Sequence, residues 1–257
     1  MSGAALARTL GEGWTQPKVS KIETVRQLPT ADEIRVWADA TGAAGDVAEV
    51  LELLDAVRAE RTEYKTAGVA SVQAGILALE AQATRIGEFQ PSMISGLLQT
   101  AEYAHEALHI PGGPTAFGSS EDDIQAMIAT RLQRQNALYD PAKTVQVVML
   151  ESALHVRLCS DATFAGQLDR LLALLGLPSC ELTIIPFEAR VPVFPMGFRV
   201  YDDDLVIVES ISDESRIEDA DNVAKYVEFF DLLRDAGVTG GEAATIIQRS
   251  IAHLRRQ

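Results

Sequence analysis

The chain has 257 residues, 47% of them apolar and 23% charged, with a formal net charge of −15. This is a globular composition with core material for one large domain or two modest ones, and the acidic balance argues against a whole-molecule nucleic-acid binder. Cys159 and Cys180 both lie beside apolar runs and read as buried thiols rather than a disulfide framework or metal cluster, while the lack of a ~20-residue apolar span or a charged-then-apolar leader predicts a soluble, cytoplasmic protein.

The first stretch, residues 2–29, has the grammar of a helix-turn-helix. Leu6, Ala7 and Leu10 recur at helical spacing and Gly11 stops the first helix. A second short helix starts around Thr15, with Gln16, Lys18 and Lys21 set among apolar Val19 and Ile22. One face is thus apolar and the other carries long polar side chains, as a helix lying in a DNA groove requires. Arg8, Lys18, Lys21 and Arg26 outnumber Glu12 and Glu23, so the segment is locally basic on an acidic protein. Trp14, in the turn, reads as a core aromatic in preference to a wedge against a phosphate.

Thr30, with Glu33 three residues on, predicts a capping box and a helix bearing Ile34, Trp37 and Ala38, ended by Gly42. A longer helix follows from about Asp46, with Val47, Val50, Leu51, Leu54 and Val57 on one stripe. Val69 to Ile86 is mostly apolar, and Ile94 to Ile110 is expected to be helical throughout. Ser119 or Ser120 caps the next helix, which carries Arg131, Arg134 and Gln135. Beyond Asp140-Pro141, residues 144–150 and 182–185 are β-branched runs bounded by turn residues. Residues 198–201 and 205–208 form a hairpin around Asp202-Asp203-Asp204. Asp161 caps a leucine-rich helix, and two more helices occupy Glu218 to Leu233 and Thr239 onward. The expected fold is α+β: an all-α domain over residues 1–66, then a larger α+β domain over 67–257 with about four short strands.

On these residues the N-terminal segment resembles the Cro/repressor (Xre-type) helix-turn-helix. Leu6-Ala7, Gly11, Val19-Ser20 with Ile22-Glu23, and Arg26 with Pro29 carry the likeness. The rest is similar to the uncharacterised C-terminal domain that follows this module in a large actinobacterial regulator family. That likeness rests on Leu79-Glu80, residues 96–100 with Tyr103-Ala104, Arg131 with Arg134-Gln135, residues 151–154, Gln167-Leu168, residues 185–187 and Val208-Glu209. The resemblance implies transcriptional regulators of development and secondary metabolism, often acting beside small acidic partner proteins, and no ligand or activity for the C-terminal domain. Three departures stand out. The helix that normally packs ahead of the pair is missing before Ser2, so a truncated Cro-like module is expected. Val25 and Ser95 stand where the family usually has Gly and Pro.

For DNA contact the candidates are Gln16, able to read an adenine edge, Lys18 and Lys21 toward bases or phosphates, and Ser20 and Arg26 toward phosphates; the plainer reading is a solvated helix face. In the larger domain Glu80, Glu151 and Glu209 lie within apolar segments. They are candidates for a ligand pocket with Tyr103, Phe187, Phe194 and Phe198, or else for structural ion pairs, Glu209 with Arg131 or Arg134. His105 and His109 are spaced i,i+4 beside Glu106, half of a helical metal site, but without a third ligand at matching spacing the pair reads as solvated and no metal is expected. No phosphate loop, nucleophile elbow or dinucleotide fingerprint is present, so no catalytic residue and no cofactor are assigned. Two readings follow. One is a homodimeric DNA-binding transcriptional regulator on a palindromic site, with a domain sensing a small ligand or an acidic partner. The other is a descendant that no longer binds DNA and acts as a small-molecule-binding protein or enzyme in natural-product biosynthesis.

Overall fold

The computed structural model describes residues 3–24, 27–59, 61–63, 69–114, 118–191, 196–210 and 213–256. The chain divides into two compact units, Met1–Arg61 and Thr62–Gln257.

The smaller unit is all-helical: α1 (Gly3–Leu10), α2 (Gln16–Glu23), α3 (Ala31–Thr41) and α4 (Val47–Ala59). Thr30 and Glu33 cap each other's backbone at the start of α3, and Gly42, at φ +73°, closes it in the left-handed conformation that favours glycine. Leu6, Ala7, Leu10 and Val19 form the core, with Trp14, Trp37 and Ala40 packed on it. Of the apolar stripe expected on α4, Leu54 is buried while Val50 is exposed, as is the neighbouring Leu53.

The larger unit is built on a mixed seven-stranded sheet in the order β1-β7-β6-β5-β2-β3-β4. Its strands are β1 (Arg61–Glu63), β2 (Arg85–Gln90), β3 (Thr144–Leu150), β4 (Cys180–Ile185), β5 (Phe198–Tyr201), β6 (Leu205–Glu209) and β7 (Asp213–Ile217). β2 is the pivot, parallel to β3 on one side and antiparallel to β5 on the other. The helices are α5 (Val69–Gln82), α6 (Ala101–Leu108), α7 (Glu121–Arg134), α8 (Asp161–Leu174), α9 (Ala220–Asp235) and α10 (Gly240–Leu254). The α+β class holds. The four expected strands are β3 to β6, and β1, β2 and β7 add to them.

One sheet face carries two kinds of packing. Over β2, β3 and β4 it is apolar, where Tyr103, Phe164, Leu168, Leu171, Ile247 and Ile251 meet Ile86, Val145, Val147 and Ile184. Over β5 to β7 it is charged, and α5 and α7 approach it there. The opposite face is covered by α9, whose Phe230 and Leu233 pack with Phe89, Phe198 and Val206. Gly87 makes this close approach possible, since a Cβ there would stand 3.2 Å from the Phe230 ring.

The expected continuous helix over Ile94–Ile110 is corrected. Gly96–Leu98 is a single 3-10 turn, and α6 begins only after Thr100, whose side chain accepts from the Tyr103 amide. Side chains hold the backbone between them out of helix: Gln99 donates to the Ile94 carbonyl at 2.8 Å, and the Thr100 amide donates to Gln167 at 2.6 Å. Ser160, not Asp161, is the cap of α8.

Candidate functional site

In the smaller unit the α1–α2 turn uses Gly11 and Gly13, both at positive φ, and the Trp14 amide donates to the Gly11 carbonyl at 3.2 Å. Thr15 caps α2 by accepting from the Lys18 amide, and Val19 is fully buried against α1. Gln16 and Lys21 face solvent, and Ser20 is half-buried. Lys18 is otherwise engaged: its ammonium lies 2.7 Å from the Glu33 carboxylate and 4.6 Å from the centre of the Trp14 ring. The Lys18 hydrogen bond and the Thr30 amide hold the Glu33 carboxyl below its usual pKa. Arg26 and Val25 lie outside the described residues.

In the larger unit the strand register places charge on one face. Glu88 pairs with Arg199, Arg199 with Ile207, Ile207 with Arg216, and Glu209 with Glu214, so these side chains emerge on the same side. Arg199 is the centre. Its Nε donates to Glu88 Oε1 at 3.3 Å and its Nη2 to Glu209 Oε2 at 2.9 Å. Glu88 also accepts from Gln90 at 2.9 Å and Ser95 at 2.5 Å. From the helices above, Arg134 forks onto Glu80 and donates to Gln73, and Arg131 donates to Gln99 at 2.9 Å.

The titrations follow from this geometry. Burial works against the Arg199 guanidinium, but Glu209 and Glu88 outweigh it and raise its pKa further. Burial likewise opposes the Glu209 carboxylate, and Arg199 still holds it below its usual value. Arg131 has no carboxylate within ion-pair distance among the described residues. Burial, aided by the neighbouring Arg134, pushes it down to about 10.

A cavity of about 540 Å3 opens on this network, lined by Gln90, Met93, Met196, Phe198, Arg199 and Glu209 among others. Arg199 Nη1 is buried and has no hydrogen-bond partner among the described residues, and the same holds for Arg131 Nε and the Tyr201 hydroxyl. A buried guanidinium nitrogen without an acceptor costs free energy until an acceptor arrives. The cavity itself joins the Arg199–Glu209 ion pair to apolar side chains, an arrangement that suits a ligand with a polar head and an apolar body.

The pocket candidates from the sequence separate. Phe198 and Glu209 line the cavity. Glu80 belongs to the network through Arg134, and Glu209 pairs with Arg199 rather than with Arg131 or Arg134. Tyr103 is in the apolar core beside Phe164. Glu151 stands apart, accepting from the Phe187 amide at 3.0 Å with Arg249 at 3.8 Å. Phe187 is 64% exposed, and Phe194 lies outside the described residues. Arg199 and Glu88 were not singled out from the sequence, although Arg199 is the one charge in the strand Phe198–Tyr201 and Glu88 stands next to Phe89 inside β2.

Fold and site define a mixed α+β domain with an ionic layer buried in its core, preceded by an all-helical unit. Residues 73–249 match the family described as a domain of unknown function, DUF5753, and the chain belongs to that family. No curated protein sequence matches. Among solved structures, NucT from Helicobacter pylori is similar at TM-score 0.38 and 11% identity, over 70% of this chain and 97% of that one. TrmBL2, an archaeal chromatin protein with a novel mode of DNA binding, is similar at TM-score 0.35 and 11% identity, over 87% of this chain and 69% of that one. Both scores are too low to define a shared fold. Among the described residues no helix is long and apolar enough to cross a membrane.

Proposed function

We propose that this protein is a DNA-binding transcriptional regulator, its smaller unit reading DNA through α2 and its larger unit sensing a small ligand. The observation that carries the DNA reading is the division of α2 into two faces. Val19 is buried against α1, while Gln16 and Lys21 are exposed. Membership of a family typically paired with Xre-type helix-turn-helix modules in actinobacteria supports it. Two copies acting as a homodimer would set two such helices one turn of DNA apart on a palindrome. The ligand reading rests on the cavity where Arg199 and Glu209 stand beside Phe198, Met93 and Met196, and the ligand class is a polar head with an apolar body. A gel shift on the protein's own promoter region tests the first part. The expected complex weakens steeply with salt; no complex even at low salt overturns it.

One observation favours a second reading, a small-molecule-binding protein that does not grip DNA. Lys18 is already neutralised by Glu33, on a chain of net charge −15. Ligand-dependent thermal stabilisation without any DNA complex is the outcome that selects it.

A further inference from the structure

We infer that His105, His109 and Glu121 form a binding site for one zinc-class divalent transition ion. His105 lies in α6, His109 caps its C-terminus and Glu121 is the first residue of α7, so the site joins the end of one helix to the start of the next. One ligand atom from each residue lies within 4.8 Å of the other two, and all three residues are exposed. The two imidazole rings, one helical turn apart, have centroids 4.3 Å apart.

The second shell is in place. His109 Nδ1 lies 2.6 Å from the His105 carbonyl, where Nδ1–H donates, so Nε2 is the atom left for a metal, which would displace the proton shared there with Glu121. That Nε2 faces Glu121 Oε2 at 3.0 Å. The other oxygen, Oε1, accepts from Gln125 at 2.8 Å, which fixes the carboxylate plane. Bonds of about 2.1 Å from nitrogen and oxygen meeting at a tetrahedral ion need donors about 3.4 Å apart. The His109–Glu121 pair opens by a few tenths of an ångström to reach this, and a His105 nitrogen, within 4.8 Å of both, closes on the ion by rotation of an exposed side chain. Two imidazoles and one carboxylate suit zinc, nickel or copper, not magnesium or calcium, and leave a fourth position for water. The sequence suggested Glu106 as the neighbouring acid. It is turned away, accepting from the Ser160 amide at 2.5 Å and from Thr163, and the third ligand comes instead from the next helix.

The test is calorimetric titration of tag-free, metal-stripped full-length chain with zinc. One zinc per chain is expected, with a rise in melting temperature. His109→Ala and Glu121→Gln should each weaken binding by roughly tenfold or more, with unchanged circular dichroism because both side chains are on the surface. His155→Ala, whose ring lies 6.2 Å from that of His253 elsewhere in the unit, should leave binding intact, and magnesium should give no heat. Absence of zinc binding in the parent chain overturns the assignment. So does binding that survives both His109→Ala and Glu121→Gln, or that is lost in His155→Ala alone.

Discussion

Arg134 and Glu80 meet as a forked ion pair inside the protein: Nε donates to Oε2 at 2.7 Å and Nη2 to Oε1 at 2.6 Å, with side chains only 2% and 1% exposed. The pair joins α7 to α5 and lies on the sheet's charged half. Removing one partner strands a buried charge, so Arg134→Met or Glu80→Leu alone should cost about 3–5 kcal/mol. The double variant replaces both charges with apolar volume and should recover much of that loss. Urea unfolding of the two single variants and the double variant gives the coupling directly. Equal, additive losses would show that the fork is not what holds the two helices together.

Arg131, one turn away on the same helix, should behave differently. It donates to Gln99 and has no carboxylate within ion-pair distance among the described residues. Its low pKa, about 10, reflects burial and the repulsion of Arg134. Arg131→Met removes that repulsion at the expense of one hydrogen bond, so its net cost should be about 1 kcal/mol or less. The same urea series checks it, and a loss as large as that of Arg134→Met would mean that Arg131 is paired after all.

The Lys18–Glu33 contact supplies a test that couples stability to DNA binding. Glu33→Gln keeps the capping hydrogen bond to the Thr30 amide but releases the Lys18 ammonium. Because the folded carboxyl has a lowered pKa, the ion pair stabilises above the unfolded value of 4.5 and the contribution is lost as pH falls through the folded value. The variant should therefore lose under about 1 kcal/mol at neutral pH and nothing in acid. If α2 reads DNA, the freed lysine should strengthen binding and steepen the salt slope by about 0.9. An unchanged slope would mean that Lys18 does not reach phosphate.

How much of this could be read in the sequence depends on where the determining partner lies. The capping box of Thr30 and Glu33 spans three residues, and Gly42 ends its helix by its own conformational freedom, so both were legible. β3 to β6 were legible because β-branched runs state their own preference. β2 was not. Gly87 and Glu88 are poor strand formers in isolation, and they are accepted because Phe230 packs on one and Arg199 neutralises the other, 111 residues away. β7 carries Glu214 and Arg216 for the same reason: that face meets the ionic layer, while Ile217 packs on the apolar cluster of the opposite face. Glu80 and Glu209 stood out as carboxylates in apolar segments, but their partners were visible only in the fold.

Glu214 gives a prediction of opposite sign to that of Glu33. It lies on β7 directly across from Glu209, and like charges so placed repel. Burial raises its pKa, Arg216 at 3.3 Å offsets this only in part, and Glu209 adds to the rise. A carboxyl with a raised folded pKa holds its proton more tightly in the native state. Its cost is absent below the unfolded value of 4.5, where both states are protonated, and grows as pH rises through the folded pKa. Glu214→Gln removes the charge and keeps the shape. It should raise the melting temperature at neutral pH, by roughly 2–4 °C for each kcal/mol gained, with the gain vanishing in acid. Melting curves of both chains across the acid-to-neutral range decide the matter. A gain of the same size at every pH would come from a new amide contact rather than from charge. A loss at neutral pH would mean that Arg216 keeps Glu214 ionised in the folded chain.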